Sequence, residues 1–207
     1  MCGIFGYWDR ARRAMPDDAL SAMAQKLIHR GPDDEGIWHQ PQRGVALGNR
    51  RLSIIDIAGG HQPFVSDDGQ VAVVQNGEIF NYIELAAELR RQGVVLRTAS
   101  DTEVILRLYE REGISFLSKL NGMFSIAIDD VRQDAMYLVR DRIGVKPLYV
   151  ADDGQRAIFG SEIKAMLPWI AAVGGILFVG GVALAIFRRG RPSAETLAPD
   201  GSNAENV

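Results

Sequence analysis

The apolar residues of the chain recur with the two periods that separate helices from strands. Leu20, Met23 and Leu27 share one helical stripe behind an acidic first turn. By the same reasoning, together with caps and closing glycines, helices are predicted over 16–29, 81–93, 100–113 and from Ser161 onward, with Ser161 as the N-cap. Short apolar runs bounded by turn residues predict strands over 4–8, 44–56, 70–75, 123–130, 135–141, 147–152 and 156–161.

The order of these elements indicates the fold class. Strands come first, helices occupy the middle of the chain, and strands return afterwards, while the Gly, Pro and Asp content of 29–36 predicts a loop. Such segregation is typical of helices layered on antiparallel sheets and not of alternating parallel units. The sequence therefore predicts an α+β domain over residues 1–167.

A long uncharged segment follows this domain. Residues 165–187 include 23 consecutive residues without a charge, and about 20 apolar residues suffice to span a bilayer. Its glycines weaken a helix in water but are common in membrane helices, so a transmembrane helix is predicted over 168–187. The alternative is an apolar helix buried in a core. Residues 188–207 are predicted to form a polar, disordered tail.

Composition limits the classes of protein that fit. The chain is 47% hydrophobic and 24% charged with a formal net charge of −3, which gives no indication of a nucleic-acid partner. Asp9, Arg10, Arg12 and Arg13 interrupt any apolar core of a signal peptide. A single cysteine forms no internal disulfide and suits a reducing compartment. A cytoplasmic domain is expected, tethered to a membrane if 165–187 spans one.

The single cysteine lies beside the initiator methionine. Removal of Met1 would make Cys2 the N-terminal residue, with its thiol and its α-amino group on one residue. An α-amino group titrates near roughly 7.7–8, so it can accept a proton from a nucleophilic thiol at neutral pH. The alternative is that Cys2 is a small hydrophobic residue without chemistry.

Two segments in the middle of the chain offer polar groups for a ligand. Arg51 presents a planar fork that suits a carboxylate, although a charge on a strand surface is the ordinary role of one arginine. Asn76 and Gly77 follow an apolar strand and are typical of a hairpin turn, but a helix follows them. Their alternative role is an oxyanion hole made from the Asn76 amide and the Gly77 N–H, with Glu78 beside it.

One further carboxylate lies at a helix start. Asp101 can complement the helix dipole, yet Ser100 and Glu103 form an S-x-x-E capping box that already serves this end. The candidates together supply a thiol, an oxyanion hole, a cation and two carboxylates. That set suits an α-amino acid with a reactive acyl group in its side chain.

Nine segments of the chain resemble one family in sequence and order. They are MCGIFG, HRGPDDEG, RRLSIID, QPF, NGEIFNY, SDTEVI, GMFSIAI, RDRIGVKPLY and FGSEIKAM. These segments resemble the N-terminal glutaminase domain of glutamine-dependent asparagine synthetases, which are class II glutamine amidotransferases of the N-terminal nucleophile hydrolase superfamily. The resemblance covers residues 2 to about 167.

The resemblance implies a four-layer αββα sandwich and a role for each candidate residue. Cys2 is the implied nucleophile, its amino group is the base, and Asn76 with Gly77 stabilises the oxyanion. The implied substrate is glutamine. The residues implied to bind it are Arg51 for its carboxylate, Glu78 and Asp101 for its ammonium group, and the backbone at Leu52 and Ile54.

The sequence departs from the family beyond this domain. The Gly-rich S-G-G-x-D-S loop of a synthetase domain is missing from the printed chain, so ATP and magnesium are expected only on a separate synthetase domain that accepts the ammonia. Three origins of the apolar end stay open: a tethered glutaminase, a gene truncated by a frameshift or fusion, and a buried helix. The alternative function is a catalytically idle, membrane-tethered module that binds glutamine or a partner.

Overall fold

The computed structural model describes residues 1–167, 184–188 and 195–196. The helices are α1 (Asp17–Gln25), α2 (Tyr82–Arg91) and α3 (Asp101–Glu112), with 3-10 turns at Pro41–Arg43 and Gly113–Lys119 and a helix described over 163–167. The strands are β1 (Gly3–Asp9), β2 (Asp34–Gln40), β3 (Val45–Arg51), β4 (Phe64–Val65), β5 (Val71–Ile79), β6 (Gly122–Asp130), β7 (Ala135–Arg140), β8 (Tyr149–Asp152), β9 (Arg156–Gly160), β10 (Leu184–Arg188) and β11 (Glu195–Thr196).

The strands form two antiparallel sheets. The first has the order β2-β3-β1-β9-β8, and the second has the order β11-β10-β7-β6-β5-β4. In the first sheet Gly3 lies opposite Arg50, so the start of β1 meets the end of β3. In the second sheet β5 and β6 pair along nine residues, from Val71 to Ile79.

Three apolar clusters hold the helices and sheets in layers. Successive side chains of a strand point to opposite faces, and β5 uses both: Val73 packs with α2 and α3, whereas Val74 packs against the first sheet. In β1, Ile4 faces the second sheet, and Phe5 packs with α1. The layers therefore follow the order α, β, β, α, and the predicted α+β class is confirmed.

The N-terminus of α3 is capped, but only partly in the predicted way. The Ser100 hydroxyl accepts the Thr102 N–H at 3.2 Å, as an N-cap does. The Glu103 carboxylate, however, accepts the backbone N–H groups of Arg97 and Thr98, at 3.0 and 2.7 Å, and not that of Ser100. The cap is confirmed, and the reciprocal half of the capping box is wrong.

Two local predictions in the first half of the chain are wrong. The segment predicted as a loop over 29–36 runs into strand β2, which begins at Asp34 and pairs with β3. The hairpin alternative for Asn76 and Gly77 is also wrong, because both residues lie inside β5, opposite Ser125 and Phe124 of β6. Strand β2 lies at the edge of its sheet with half-buried side chains, and strand β5 contains the Asn-Gly pair. Both strands therefore include residues that are typical of turns, which is why their sequences predicted turns or loops.

The apolar C-terminal segment is extended where the structure describes it. Leu184–Arg188 pairs antiparallel with β7, and Ala185 lies opposite Thr196 of β11. The helix predicted over 168–187 is therefore wrong at 184–187, because the edge of β7 provides backbone hydrogen-bond partners that an apolar run can use as a strand. Residues 168–183, most of that prediction, lie outside the described residues.

The structure describes only parts of the predicted tail and of the predicted membrane span. Arg188 and Glu195–Thr196, within the tail predicted to be disordered, lie in strands, and the rest of 188–207 lies outside the described residues. Among the helices of the described ranges, none combines the length and apolar character that crossing a bilayer requires. The division of the chain at 167 and 187 stays a prediction.

Candidate active site

A cavity of about 170 Å³ opens where the two sheets and α3 meet. All eight residues predicted from the sequence line it: Cys2, Arg51, Leu52, Ile54, Asn76, Gly77, Glu78 and Asp101. Sequence reasoning missed the other lining residues: Met1, Ile55, Gly60, Gln62, Ser100, Thr102, Met123 and Lys146. Positions far apart in the chain thus form one site.

These residues meet because they lie at or near the ends of strands and helices that pack together. Cys2 precedes β1, and Arg51 ends β3, the neighbouring antiparallel strand. Asn76 and Gly77 lie near the end of β5, which packs across the sandwich from β1 and β3. Asp101 is the first residue of α3, which packs on β5. The fold therefore gathers polar groups at one edge of the sandwich, while the apolar middle of each strand stays in the core.

The Cys2 thiol faces the backbone of Leu52. Its Sγ lies 3.4 Å from the Leu52 N and 3.7 Å from the Leu52 O. Arg30 donates from Nε to the Cys2 carbonyl at 2.9 Å, a contact that sequence reasoning missed. The Arg30 contact fixes the backbone of Cys2, and the Leu52 contacts fix its sulfur. The thiol therefore lies at the wall of the cavity.

Arg51 is buried, with only 5% of the residue exposed, so its alternative role as a surface charge is wrong. Its guanidinium donates to the carbonyls of Ile55, Asp56 and Ile57 at 2.9, 2.7 and 3.2 Å. Three of its five N–H donors are thus used to fold the loop after β3 over the cavity. Its Nε–H and one Nη1–H have no acceptor among residues 1–167, but they point in different directions, so Arg51 offers a carboxylate its positive charge and single donors and not a bidentate fork.

The edge of β5 carries a regular series of N–H groups. Phe124 uses its N–H and carbonyl on the β7 side, bonding Asp141, so its opposite residue Gly77 turns its own N–H away from β6. On that outer edge the N–H of Gln75 donates to Gln62 Oε1 at 2.7 Å, and the N–H of Ile79 donates to Asp101 Oδ2 at 3.1 Å. Along the strand, the Gly77 N–H therefore lies between the N–H groups of Gln75 and Ile79, which already donate hydrogen bonds to side chains. Gly77 itself lines the cavity.

A buried polar network supports this edge. Gln62 Nε2 donates to Thr102 Oγ1 at 3.2 Å, and the Thr102 hydroxyl donates to Gln75 Oε1 at 3.0 Å. Gln75 Nε2 then donates to Asp101 Oδ2 at 3.0 Å. The network joins the loop before β4, strand β5 and helix α3, so it fixes the walls of the cavity relative to one another. Gln62 and Thr102 lie in the QPF and SDTEVI segments and Gln75 directly precedes NGEIFNY, but sequence reasoning gave none of the three a role in the site.

The charges around the cavity have both signs. Burial raises the pKa of Asp101 above its ordinary value, against the lowering effect of the Ile79 N–H and the Gln75 amide, and the nearby Glu78 charge adds to the rise. Two carboxylates on one wall favour a cation there. Arg51 and Lys146 supply positive charge elsewhere on the lining. A zwitterionic ligand with both a carboxylate and an ammonium group matches this distribution.

Met1 occupies part of the cavity lining. Its Sδ lies 3.4 Å from Nζ of Lys146, whose residue is 6% exposed. Lys146 belongs to the RDRIGVKPLY segment, to which the sequence analysis gave no individual role. Removal of Met1 would enlarge the cavity beside Cys2 and expose the Lys146 ammonium to it.

Comparison with known families agrees with this geometry. The family described as the glutamine amidotransferase domain matches residues 1–175. The chain belongs to the glutamine amidotransferase domain family. Within it, this amidotransferase domain is 44% identical over 169 residues to asparagine synthetase [glutamine-hydrolyzing] 2 of Bacillus subtilis, across 80% of this chain and 22% of that protein. It is 38% identical over 170 residues to asparagine synthetase B [glutamine-hydrolyzing] of Escherichia coli, across 81% of this chain and 30% of that protein.

Solved structures show the same fold. The glutamine phosphoribosylpyrophosphate amidotransferase of B. subtilis superposes with a TM-score of 0.73 at 23% identity, over 94% of this chain and 49% of that one. A glutamine aminotransferase class-II domain protein of Silicibacter pomeroyi gives a TM-score of 0.52 at 15% identity, over 96% and 100% of the two chains. The amidotransferase domain described here spans less than a third of the length of either synthetase named above.

Proposed function

We propose that this chain hydrolyses the side-chain amide of glutamine to glutamate and ammonia, as the glutaminase half of an asparagine synthetase type of enzyme. One observation supports this most strongly. The thiol of Cys2 and the outward N–H of Gly77 line the same cavity, so a nucleophile and an oxyanion donor face one small volume. Acyl transfer needs both groups at one carbonyl. Family membership supports glutamine as the source of that carbonyl.

Substrate binding uses the charges of the lining. The guanidinium charge of Arg51, with one of its available donors, binds the α-carboxylate of glutamine, and Glu78 with Asp101 binds the α-ammonium group. The backbone groups at Leu52 and Ile54 close the wall beside the substrate chain. This leaves the carboxamide as the part of glutamine that points to Cys2.

The first half of the proposed reaction forms a thioester. After Met1 is removed, the α-amino group of Cys2 takes the thiol proton, and Sγ attacks the side-chain carbonyl carbon of glutamine. The Gly77 N–H and the Asn76 amide stabilise the oxyanion that forms. Collapse of this intermediate breaks the C–N bond, and the α-ammonium group of Cys2 protonates the leaving nitrogen, so ammonia departs.

The second half releases glutamate. The α-amino group takes a proton from water, and the resulting hydroxide attacks the thioester carbonyl carbon. The C–S bond breaks, the thiolate regains a proton from the α-ammonium group, and glutamate leaves. Every group in this scheme comes from Cys2, the oxyanion donors or water, so we propose that ATP and magnesium bind only on a separate synthetase domain that accepts the ammonia. A cytoplasmic location stays a prediction.

The experiment that tests this function is an amide hydrolysis assay of the full chain. Mass spectrometry first identifies the preparation that lacks Met1. Incubation with glutamine is expected to release glutamate and ammonia in equal amounts, whereas asparagine, one methylene shorter, is expected to react at least about 100-fold more slowly because its carboxamide falls short of Cys2. A folded, processed chain that releases no glutamate would contradict the proposal.

Asp101 gives a prediction that separates binding from stability. A raised pKa in the folded state means that the folded protein holds the proton more tightly, so ionisation of Asp101 lowers stability as pH rises through its pKa. In Asp101→Asn, the amide oxygen can still accept from Gln75 and Ile79. We expect the unfolding midpoint at pH 7 to rise by roughly 2–4 °C, a gain that shrinks as pH falls through the raised pKa of Asp101 towards the ordinary pKa of an aspartate. The KM for glutamine should rise at least about tenfold, because the ammonium group loses a charged partner.

Glu78→Gln is the matched control for this prediction. Glu78 lines the same cavity but is only half-buried, so its neutralisation should raise KM without a comparable gain in the unfolding midpoint. Equal midpoints for Asp101→Asn and the unaltered protein at pH 7 would show that burial of the Asp101 charge carries no cost. An unchanged KM would remove Asp101 from the binding site.

A further inference from the structure

Ser161 is fully buried where β9 ends and connects two parts of the candidate active site. Its backbone N–H donates to the Ile4 carbonyl at 2.8 Å, and its hydroxyl oxygen accepts the Ile4 N–H at 3.0 Å. The same hydroxyl lies 3.4 Å from Nδ2 of Asn76. The sequence predicted Ser161 as the N-cap of the following helix. Its side chain instead points into the sandwich, because its hydrogen-bond partners lie on β1 and β5.

The hydrogen bonds around Asn76 are incomplete in this arrangement. Asn76 is fully buried, and its Oδ1 contacts no donor within the described part of the chain. The Ser161 hydroxyl accepts from Ile4 and from Asn76, so its own proton also lacks an acceptor among these contacts. A buried carbonyl oxygen and a buried hydroxyl proton without partners, on adjacent side chains, are complementary.

A half-turn of the Asn76 carboxamide satisfies both groups. The two ends of a carboxamide have nearly the same shape, so their hydrogen bonds decide which end is oxygen. With Oδ1 towards Ser161, the hydroxyl donates to it while still accepting the Ile4 N–H. Nδ2 then takes the place of the unpartnered oxygen, on a residue that lines the cavity. Both N–H donors of Asn76 become available to a ligand.

We infer that Ser161 is a positioning residue for the oxyanion hole: its hydroxyl donates to Asn76 Oδ1 and so directs the Asn76 Nδ2 donors at the oxyanion. This inference rests on the proposed function. Ser161 also holds Ile4, two residues from Cys2, on the strand that carries the nucleophile. One buried hydroxyl therefore sets the orientation of the oxyanion amide relative to the strand of the thiol.

The test is Ser161→Ala in the full, processed chain. Alanine leaves the Asn76 amide free to rotate, so kcat for glutamine hydrolysis should fall about 10- to 100-fold, less than loss of the oxyanion donor itself. KM should stay within about threefold, since Ser161 contacts no ligand-binding charge. Alkylation of Cys2 by iodoacetamide needs no oxyanion hole, so its rate should stay within about twofold.

Ser125→Ala is the matched control. Ser125 lies opposite Asn76 in the neighbouring strand and is also fully buried, but its hydroxyl contacts no partner within residues 1–167. The substitution removes the same atom from the same neighbourhood, so kcat should stay within about twofold. Ser161→Cys keeps the side-chain size but donates weakly, and it should lose about tenfold in kcat. If Ser161→Ala does not fold, the kcat of Ser161→Cys tests the inference in its place.

The outcomes separate this inference from the function on which it rests. Unaltered kcat in Ser161→Ala, or in Ser161→Cys where the alanine variant is unfolded, would overturn the inference and leave glutamine hydrolysis intact. An equal loss of alkylation and hydrolysis would also overturn it, because Ser161 would then act on Cys2 through Ile4. Failure of the unaltered chain to release glutamate would contradict the function itself.

Discussion

Cys2→Ala is expected to lower glutamate release by about 10⁴-fold or more, because no other group can form the thioester. Cys2 is the single cysteine of the chain, and within residues 1–167 its sulfur forms its hydrogen bonds with the Leu52 backbone. The unfolding midpoint should therefore stay within roughly 2 °C, a change of less than about 1 kcal/mol. Steady-state hydrolysis and thermal unfolding of the two full chains measure both effects.

A second variant tests the role of the α-amino group. An extension of the N-terminus that blocks processing keeps the thiol but converts the α-amine into an amide and fills the cavity entrance, where Met1 approaches Lys146 at 3.4 Å. This chain should label with a thiol reagent at one equivalent and yet lack hydrolysis. Hydrolysis by the extended chain would show that Cys2 needs no base of its own, and hydrolysis by Cys2→Ala would contradict the thioester.

The fold follows from the sequence wherever one face of an element is buried. The helical stripe around Leu20 and Met23 reflects burial of one helix face against a sheet, the apolar run of β5 reflects burial of both strand faces, and both elements were predicted. Strand β2 was missed, because every residue of Asp34–Gln40 is half-buried and no alternation arises. The strand at Leu184–Arg188 was also missed, because its apolar residues fit a helix or a strand equally well until its pairing with the edge of β7 is known.

The site could be predicted only as far as its motifs are contiguous. Cys2, Asn76 and Gly77 occur in short segments that carry a resemblance, and they line one cavity. The residues that hold them lie in motifs that gave them no role in the site: Gln62 of QPF lies 13 residues from the Gln75 N–H that it accepts, and Ser161 of FGSEIKAM lies 85 residues from Asn76. Such partners become visible only once strands and loops are placed in space. The second role of Arg51, as the anchor of the loop after β3, is of the same kind.

Gly77→Ala is expected to lower both stability and activity strongly. A Cβ on this residue would lie 2.0 Å from the Met123 carbonyl oxygen and 2.6 Å from Cα of Phe124, and the backbone has φ +150°, which favours glycine. Strand β6 would have to move away, at a cost of about 2–4 kcal/mol from overpacking and backbone strain together. The unfolding midpoint should fall by roughly 5–12 °C. kcat should fall at least about 100-fold, because the Gly77 N–H turns away from the oxyanion.

Gly154→Ala is the control that separates the effect of backbone strain from the effect of the close contact between residue 77 and β6. Gly154 also has a positive φ, +82°, but a Cβ there meets nothing within 4 Å, and the turn lies outside the cavity lining. This control should lose only about 1 kcal/mol of stability and keep its hydrolysis rate, because it carries the backbone cost alone. If Gly77→Ala melts as low as expected but hydrolyses glutamine at the original rate, the Gly77 N–H does not stabilise the oxyanion. The close approach of β5 and β6 would then be the whole reason for glycine at this position.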